Sequence, residues 1–209
     1  MDQKHTVLTI WFIVFDYIME RGVIRKPRKI SKLKQTDIGK FKEFVDNLSK
    51  EQWDEWNLRQ KNFIVHKDTK SYPVIWSDNN IVNNCLNIYR KPDKLDILNC
   101  ELDYLCKKYK GRVVKCVFAN LPAHSEITKH WDSGSSLICS HRLHLPIKTN
   151  SEVDFYIEDK SYSLKEGVWY EINNQKNHSV INKSSMDRVH LIVDILPNHL
   201  NIITNNFCL

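Results

Sequence analysis

From Val113 to Leu196 the chain breaks into short β-branched and aromatic runs separated by turn residues. Nothing else in the 209 residues restricts the fold as much. The alternation predicts strands at 113–121, 125–131, 141–148, 152–158, 161–165, 167–173, 178–183 and 187–196. Eight short strands in succession point to a mainly β architecture with flanking helices, a jelly-roll or cupin-like double sheet.

Upstream the periodicity changes. Residues 36–56 read as a helix that Thr36 or Asp37 can cap, with Ile38, Phe41, Phe44, Val45, Leu48 and Trp53 on one face. A second helix is expected at 93–109, where Leu95, Leu98, Leu102, Leu105 and Tyr109 recur every three or four residues after Pro92. Phe63–His66 and Tyr72–Trp76 read as short strands between them. The expected organisation is an apolar and then basic N-terminal extension over 1–35, followed by one domain over 36–209. Within that domain, helical and mixed elements at 36–112 support a β core at 113–196.

Composition narrows the class. Hydrophobic residues at 42% and charged residues at 27% suit a soluble globular chain. Five glycines and no Gly-rich loop argue against a phosphate cradle. The six cysteines form no C-x-x-C pair, which argues against a zinc ribbon or a thioredoxin-like site. A reduced, cytoplasmic setting is expected, with most thiols packed in the core. Arg21, Arg25, Lys26, Arg28, Lys29, Lys32 and Lys34 form a basic run without an acid, within a net charge of +6. Such a run is either a solvated tail or a contact for nucleic acid, anionic lipid or an acidic partner. The apolar stretch Val7–Met19 is too short to span a bilayer and is interrupted by Asp16. It reads as a packed helix, an interfacial anchor that would bring residues 7–34 to a membrane surface, or sequence upstream of a start at Met19.

The chemistry concentrates in the strand-rich half. His130-Trp131-Asp132 closes one expected strand, and alternation sends residues i and i+2 to the same side. His130 and Asp132 can therefore address one point, and His178, opening a later strand, is the candidate third ligand. Two imidazoles and a carboxylate are the donor set of non-haem Fe(II) oxygenases. His-x-Asp by itself also occurs by chance, and His178 alone also suits a structural histidine. Ten residues after His178, Arg188 lies in an apolar strand, where a guanidinium can grip a carboxylate bidentately. Arg142 and His144 share one side of another strand, opposite Leu143, Leu145 and Ile147, and can add donors near the metal. His190 shares a face with Arg188, whereas His66, His124 and His141 read as structural or surface groups.

In order, His130-Trp131-Asp132-Ser133-Gly134, Arg142 to Asn150, Glu166-Gly167-Val168-Trp169, His178 to Asn182 and Asp187 to Asp194 resemble the aspartyl/asparaginyl β-hydroxylase family and the related free-proline hydroxylases. The resemblance implies a double-stranded β-helix and Fe(II) held by His130, Asp132 and His178, with 2-oxoglutarate gripped at its distal carboxylate by Arg188. Arg142 and His144 would line the cosubstrate or substrate side. Vertebrate aspartyl hydroxylases carry Gly at the position of Asp132, whereas this chain keeps the full triad, as the proline hydroxylases do. The implied reaction consumes dioxygen and hydroxylates an Asp/Asn- or Pro-type side chain in a peptide or protein. A free amino acid is the alternative substrate. A nucleic-acid-modifying oxygenase and a non-catalytic cupin-like binding module are the rival readings.

Overall fold

A computed structural model describes residues 24–77, 86–89, 95–133 and 135–200. The apolar stretch 7–19, Met19, Arg21 and Gly134 lie outside the described residues. The chain runs through β1 (Ile30–Gln35), α1 (Gly39–Asp46), α2 (Lys50–Asp54), α3 (Leu58–Asn62), a 3-10 turn (Ile64–His66), β2 (Lys70–Ser77) and β3 (Leu86–Tyr89). It continues through α4 (Asp96–Tyr109), β4 (Gly111–Leu121), β5 (Ser125–His130), α5 (Ser135–Ile138), β6 (His141–Lys148) and β7 (Val153–Ile157). The remaining elements are β8 (Lys160–Tyr162), β9 (Val168–Ile172), β10 (His178–Asn182), β11 (Arg188–Pro197) and a second 3-10 turn (Asn198–Leu200).

The strands form two antiparallel sheets, a jelly-roll core as the alternation predicts. The larger has the order β1-β9-β6-β11-β4-β2-β3, the smaller β5-β10-β7-β8. Each side of the large sheet has its own partner. Leu143, Leu145 and Ile147 of β6 and Val189, Leu191, Val193 and Ile195 of β11 pack with Phe41 and Val45 of α1 and Leu98, Leu102 and Leu105 of α4. The opposite side faces the small sheet, and Leu121, Val168 and Tyr170 meet Ile127, Phe155 and Val180 there. Strand alternation therefore delivers Arg142 and His144 of β6, and Arg188, His190, Ile192 and Asp194 of β11, to the space between the sheets. β11 is buried along its whole length because it runs between β6 and β4 with both faces covered.

Several expectations need correction. Ile30–Gln35, grouped by sequence with the extension, is a strand of the large sheet paired with β9 from Ile30↔Ile172 to Gln35↔Val168. The helix expected at 36–56 is two helices. Ser49 breaks it by starting a new one, its hydroxyl accepting from Gln52 N at 3.3 Å while the Gln52 side chain accepts from Ser49 N at 2.9 Å. Phe63–His66 is no strand but the lead-in to a 3-10 turn, closed by Thr69, whose hydroxyl donates to His66 O at 2.7 Å. β3, which the periodicity misses, extends the sheet beyond β2. Cys100, Cys106, Cys116 and Cys139 are free thiols. Among the described residues no helix is long and apolar enough to cross a membrane.

One buried carboxylate joins the helical layer to the sheet. Glu101 of α4 accepts from Trp169 Nε1 at 2.7 Å, Thr36 Oγ1 at 3.2 Å and Lys34 Nζ at 2.9 Å. Removing it leaves a buried indole N–H and a lysine without their acceptor. Glu101→Ala is expected to cost about 3 kcal/mol, measured as a lower midpoint in urea unfolding.

Candidate metal centre

His130 ends β5 and His178 begins β10, and the two face each other as a cross-strand pair. Their rings lie 4.4 Å apart, centroid to centroid. Asp132 follows two residues after His130 in the loop beyond the strand, its Oδ1 4.0 Å from His130 Nε2. One ligand atom from each of the three residues falls within 4.8 Å of the others. Two donors about 2.1 Å from one ion stand at most about 4.2 Å apart, so small side-chain adjustments bring all three onto one ion.

The surroundings prepare each ligand. His130 Nδ1 donates to Thr128 O at 2.7 Å and His178 Nδ1 to Lys176 O at 2.9 Å. A carbonyl only accepts, so both imidazoles carry their proton on Nδ1 and present the Nε2 lone pair. Burial lowers the pKa of His178, which keeps it neutral. Burial alone would raise the pKa of Asp132, but Arg142, His178 and His130 overcome it and hold the carboxyl at about 2. Arg142 Nη1 donates to Asp132 Oδ2, which leaves Oδ1 for an ion. The Asp132 peptide is pinned on both sides, its N–H to Asn174 O at 3.0 Å and its carbonyl by Gln175 Nε2 at 3.2 Å.

A narrow cavity is lined by His130, His178, His144, Phe155 and Arg188. Arg188 is 2% exposed. Its Nη2 donates to His190 Nδ1 at 2.6 Å, while Nε has no partner. No acid pairs with it among the described residues, and burial, together with nearby Arg59, lowers its pKa to about 9. A buried guanidinium without an anion is costly, so this part of the cavity suits a carboxylate ligand. A second cavity of about 320 Å³ opens on the other side of the triad, walled by Trp76, Val117 and Trp131.

The sequence-predicted residues thus come together, with one difference of role. Arg142 lines the cavity, but its guanidinium is committed. Nε and Nη2 donate to the two oxygens of Asp194 at 2.8 and 2.7 Å, and Nη1 goes to Asp132. It steadies Asp132 and has no fork left for another carboxylate. His144 lines the same cavity as His130, His178 and Arg188, its Nδ1 3.4 Å from His190 Nδ1. His190 faces inward as its shared face with Arg188 predicts.

Four contributors escape sequence reasoning. Asp194 shares a strand face with Arg188, a signal that alternation contains. Arg59 and His66 come from α3 and the following turn; by sequence His66 reads as a structural or surface group and Arg59 is not singled out. Lys26, in the basic run, buries its ammonium on Leu137 O at 3.2 Å, Ser140 O at 2.9 Å and the Asn174 side chain. Burial lowers its pKa to about 8. Lys29 pairs with Glu158 at 3.0 Å and Lys34 with Glu101 at 2.9 Å, so part of the run is spent within the fold rather than held out as a tail.

The family model described as aspartyl/asparaginyl beta-hydroxylase matches residues 21–197. No curated protein matches the sequence. Among solved structures, an oxidoreductase of the 2OG-Fe(II) oxygenase family from Burkholderia pseudomallei superposes with a TM-score of 0.58 at 11% identity, covering 88% of this chain and 89% of that one. A cupin domain from Bordetella pertussis aligns at 20% identity with a TM-score of 0.32, over 39% of this chain and 79% of that one.

Asp194 touches no ligand atom yet holds the guanidinium that holds Asp132. Asp194→Asn is expected to weaken Mn(II) or Zn(II) binding roughly 10- to 100-fold, read by competition with a chelator. An unchanged affinity would deny Asp194 this part.

Proposed function

The chain belongs to the aspartyl/asparaginyl β-hydroxylase family, and on that premise we propose that this hydroxylase uses Fe(II) and 2-oxoglutarate to hydroxylate an amino-acid side chain in a peptide or protein. The overall change is 2-oxoglutarate + O2 + R–H giving succinate + CO2 + R–OH. One observation carries the reading: the two histidines of a His-Asp-His cluster and a buried, acid-free arginine line one cavity.

The donor set fits the metal. Two imidazoles and an ionised carboxylate on one side of an ion leave other positions open, as non-haem Fe(II) oxygenases require. Bound Fe(II) would supply the redox chemistry that couples 2-oxoglutarate decarboxylation to oxygen insertion at a C–H bond. The protein's part is placement and exclusion of water. Arg188 binds the distal carboxylate by charge-assisted hydrogen bonds, in a site dry enough to strengthen them. His144 and Phe155 line the span between that carboxylate and the metal, which fixes the length of dicarboxylate that fits. Arg142 holds Asp132 ionised and aimed, and is itself held by Asp194.

Succinate release from 2-oxoglutarate tests the proposal. His130→Ala and Asp132→Ala are each expected to abolish it, and wild-type turnover no higher than theirs would falsify the assignment. Arg188→Leu is expected to raise KM for 2-oxoglutarate by about a hundredfold, from loss of the charge-assisted pair. Iron affinity should change far less, because Arg188 contacts none of the three ligands.

A further inference from the structure

Resting on the reading above, we infer that Arg59 forms the substrate subsite and recognises a carboxylate. Arg59 projects from α3 to the place where the two cavities meet, and it lines both, together with His66, His130, Arg142 and Ile192. It has no acidic partner among the described residues. Its Nη2 donates to His66 Nε2 at 3.2 Å, and its Nη1 is buried without a hydrogen bond. An arginine always donates, so His66 accepts at Nε2 and carries its own proton on Nδ1. That Nδ1 is likewise buried and unpartnered. Two adjacent groups therefore hold unspent donors beside the metal ligands, the His66 ring standing edge-on to His130 at 5.5 Å.

The charges around the cavities decide what those donors await. Among the described residues, Asp132 and Asp194 are the only acids lining either cavity, and Arg142 engages both. Three guanidiniums, of Arg59, Arg142 and Arg188, thus stand against two carboxylates, an excess of one positive charge. A divalent ion raises the excess to three, and a dicarboxylate cosubstrate lowers it to one. One further anionic group restores balance. Arg188 takes the deep end of the inner cavity, so the remaining anion belongs at Arg59, on the side open to the outer cavity. A neutral substrate would leave Arg59 desolvated and uncompensated at every turnover.

The carboxylate has two chemical sources: the α-carboxylate of a free amino acid, or the side chain of an acidic residue within a peptide. Both are tested anaerobically on protein loaded with Fe(II) and 2-oxoglutarate, whose metal-to-ligand charge-transfer absorption reports that the metal and cosubstrate sites are formed. Three probes are titrated calorimetrically: N-acetyl-aspartate amide, N-acetyl-asparagine amide and free asparagine. Wild type is expected to bind at least one carboxylate probe, and binding of the doubly capped, uncharged control should be much weaker. N-acetyl-aspartate amide binding alone assigns the side-chain source, and free asparagine binding alone assigns the α-carboxylate. Arg59→Gln should weaken the bound probe roughly ten- to hundredfold and leave 2-oxoglutarate affinity near wild type, with Arg59→Lys in between. Equal binding of charged and uncharged probes overturns the inference, as does a carboxylate probe indifferent to Arg59→Gln. Failure of both carboxylate probes on wild type overturns it too, as does an equal loss of 2-oxoglutarate affinity in the variant. Absence of the charge-transfer band from wild type instead strikes at the iron and 2-oxoglutarate reading itself.

Discussion

Arg142 is the point on which the site turns. Its side chain leaves β6, takes both oxygens of Asp194 on neighbouring β11, and reaches on to Asp132 in the loop after β5. The large sheet is thereby tied to the small one through a single planar cation. All three groups are buried or nearly so, and a buried ion triad is tolerable only when each member is paired. The geometry is consequently stiff. Asp132 does not swing away from the histidines without stranding a guanidinium, and Asp194 does not move without loosening β6 from β11. A guanidinium suits this work where an ammonium would not, because its fork satisfies one carboxylate while the third nitrogen addresses another.

The same sheet that carries the clamp separates the two kinds of interior. On its helical side, Phe118, Leu145, Leu191 and Val193 form a dry apolar layer with α1 and α4. On the other side the strand residues between them are Arg142, His144, Arg188, His190 and Asp194. Polar groups at this density would be ruinous in a uniform core. Here they fall into two hydrogen-bonded groups, Arg142 with Asp194 and Asp132, and Arg188 with His190 and His144. Unpartnered donors on Arg59, His66 and Arg188 belong to residues that line the cavities.

Elements outside the β core complete the site. Lys26, held by Leu137, Ser140 and Asn174, braces the turn whose backbone accepts from Asp132 N. Asn173 adds a second tie, its side chain donating to Pro27 O at 3.0 Å. Arg59 and His66 close the opposite side. The strand-rich half therefore supplies the His130, Asp132 and His178 cluster and the buried Arg188, and the N-terminal half supplies the brace and part of the outer wall.

What the sequence determined by itself was whatever depends on spacing along one strand. The period-two alternation placed nearly every strand after Val113, put His130 and Asp132 on one side, and sent Arg142 and His144 to the face opposite Leu143 and Leu145. The order of the matching motifs carried the family. The limits of that reasoning are equally specific. A helical stripe over 36–56 gives no warning that Ser49 will cap a new helix. An apolar run at Phe63–His66 fits a strand until Thr69 turns its backbone. Arg142 was legible as a residue facing the site, but not as one whose donors are already spent, because Asp194 lies 52 positions away. Lys26 read as one more charge in a basic run, and Arg59 as nothing at all. Those assignments needed the tertiary structure, because whether a charge is solvated, paired or left waiting depends on which distant chain segments fold against it.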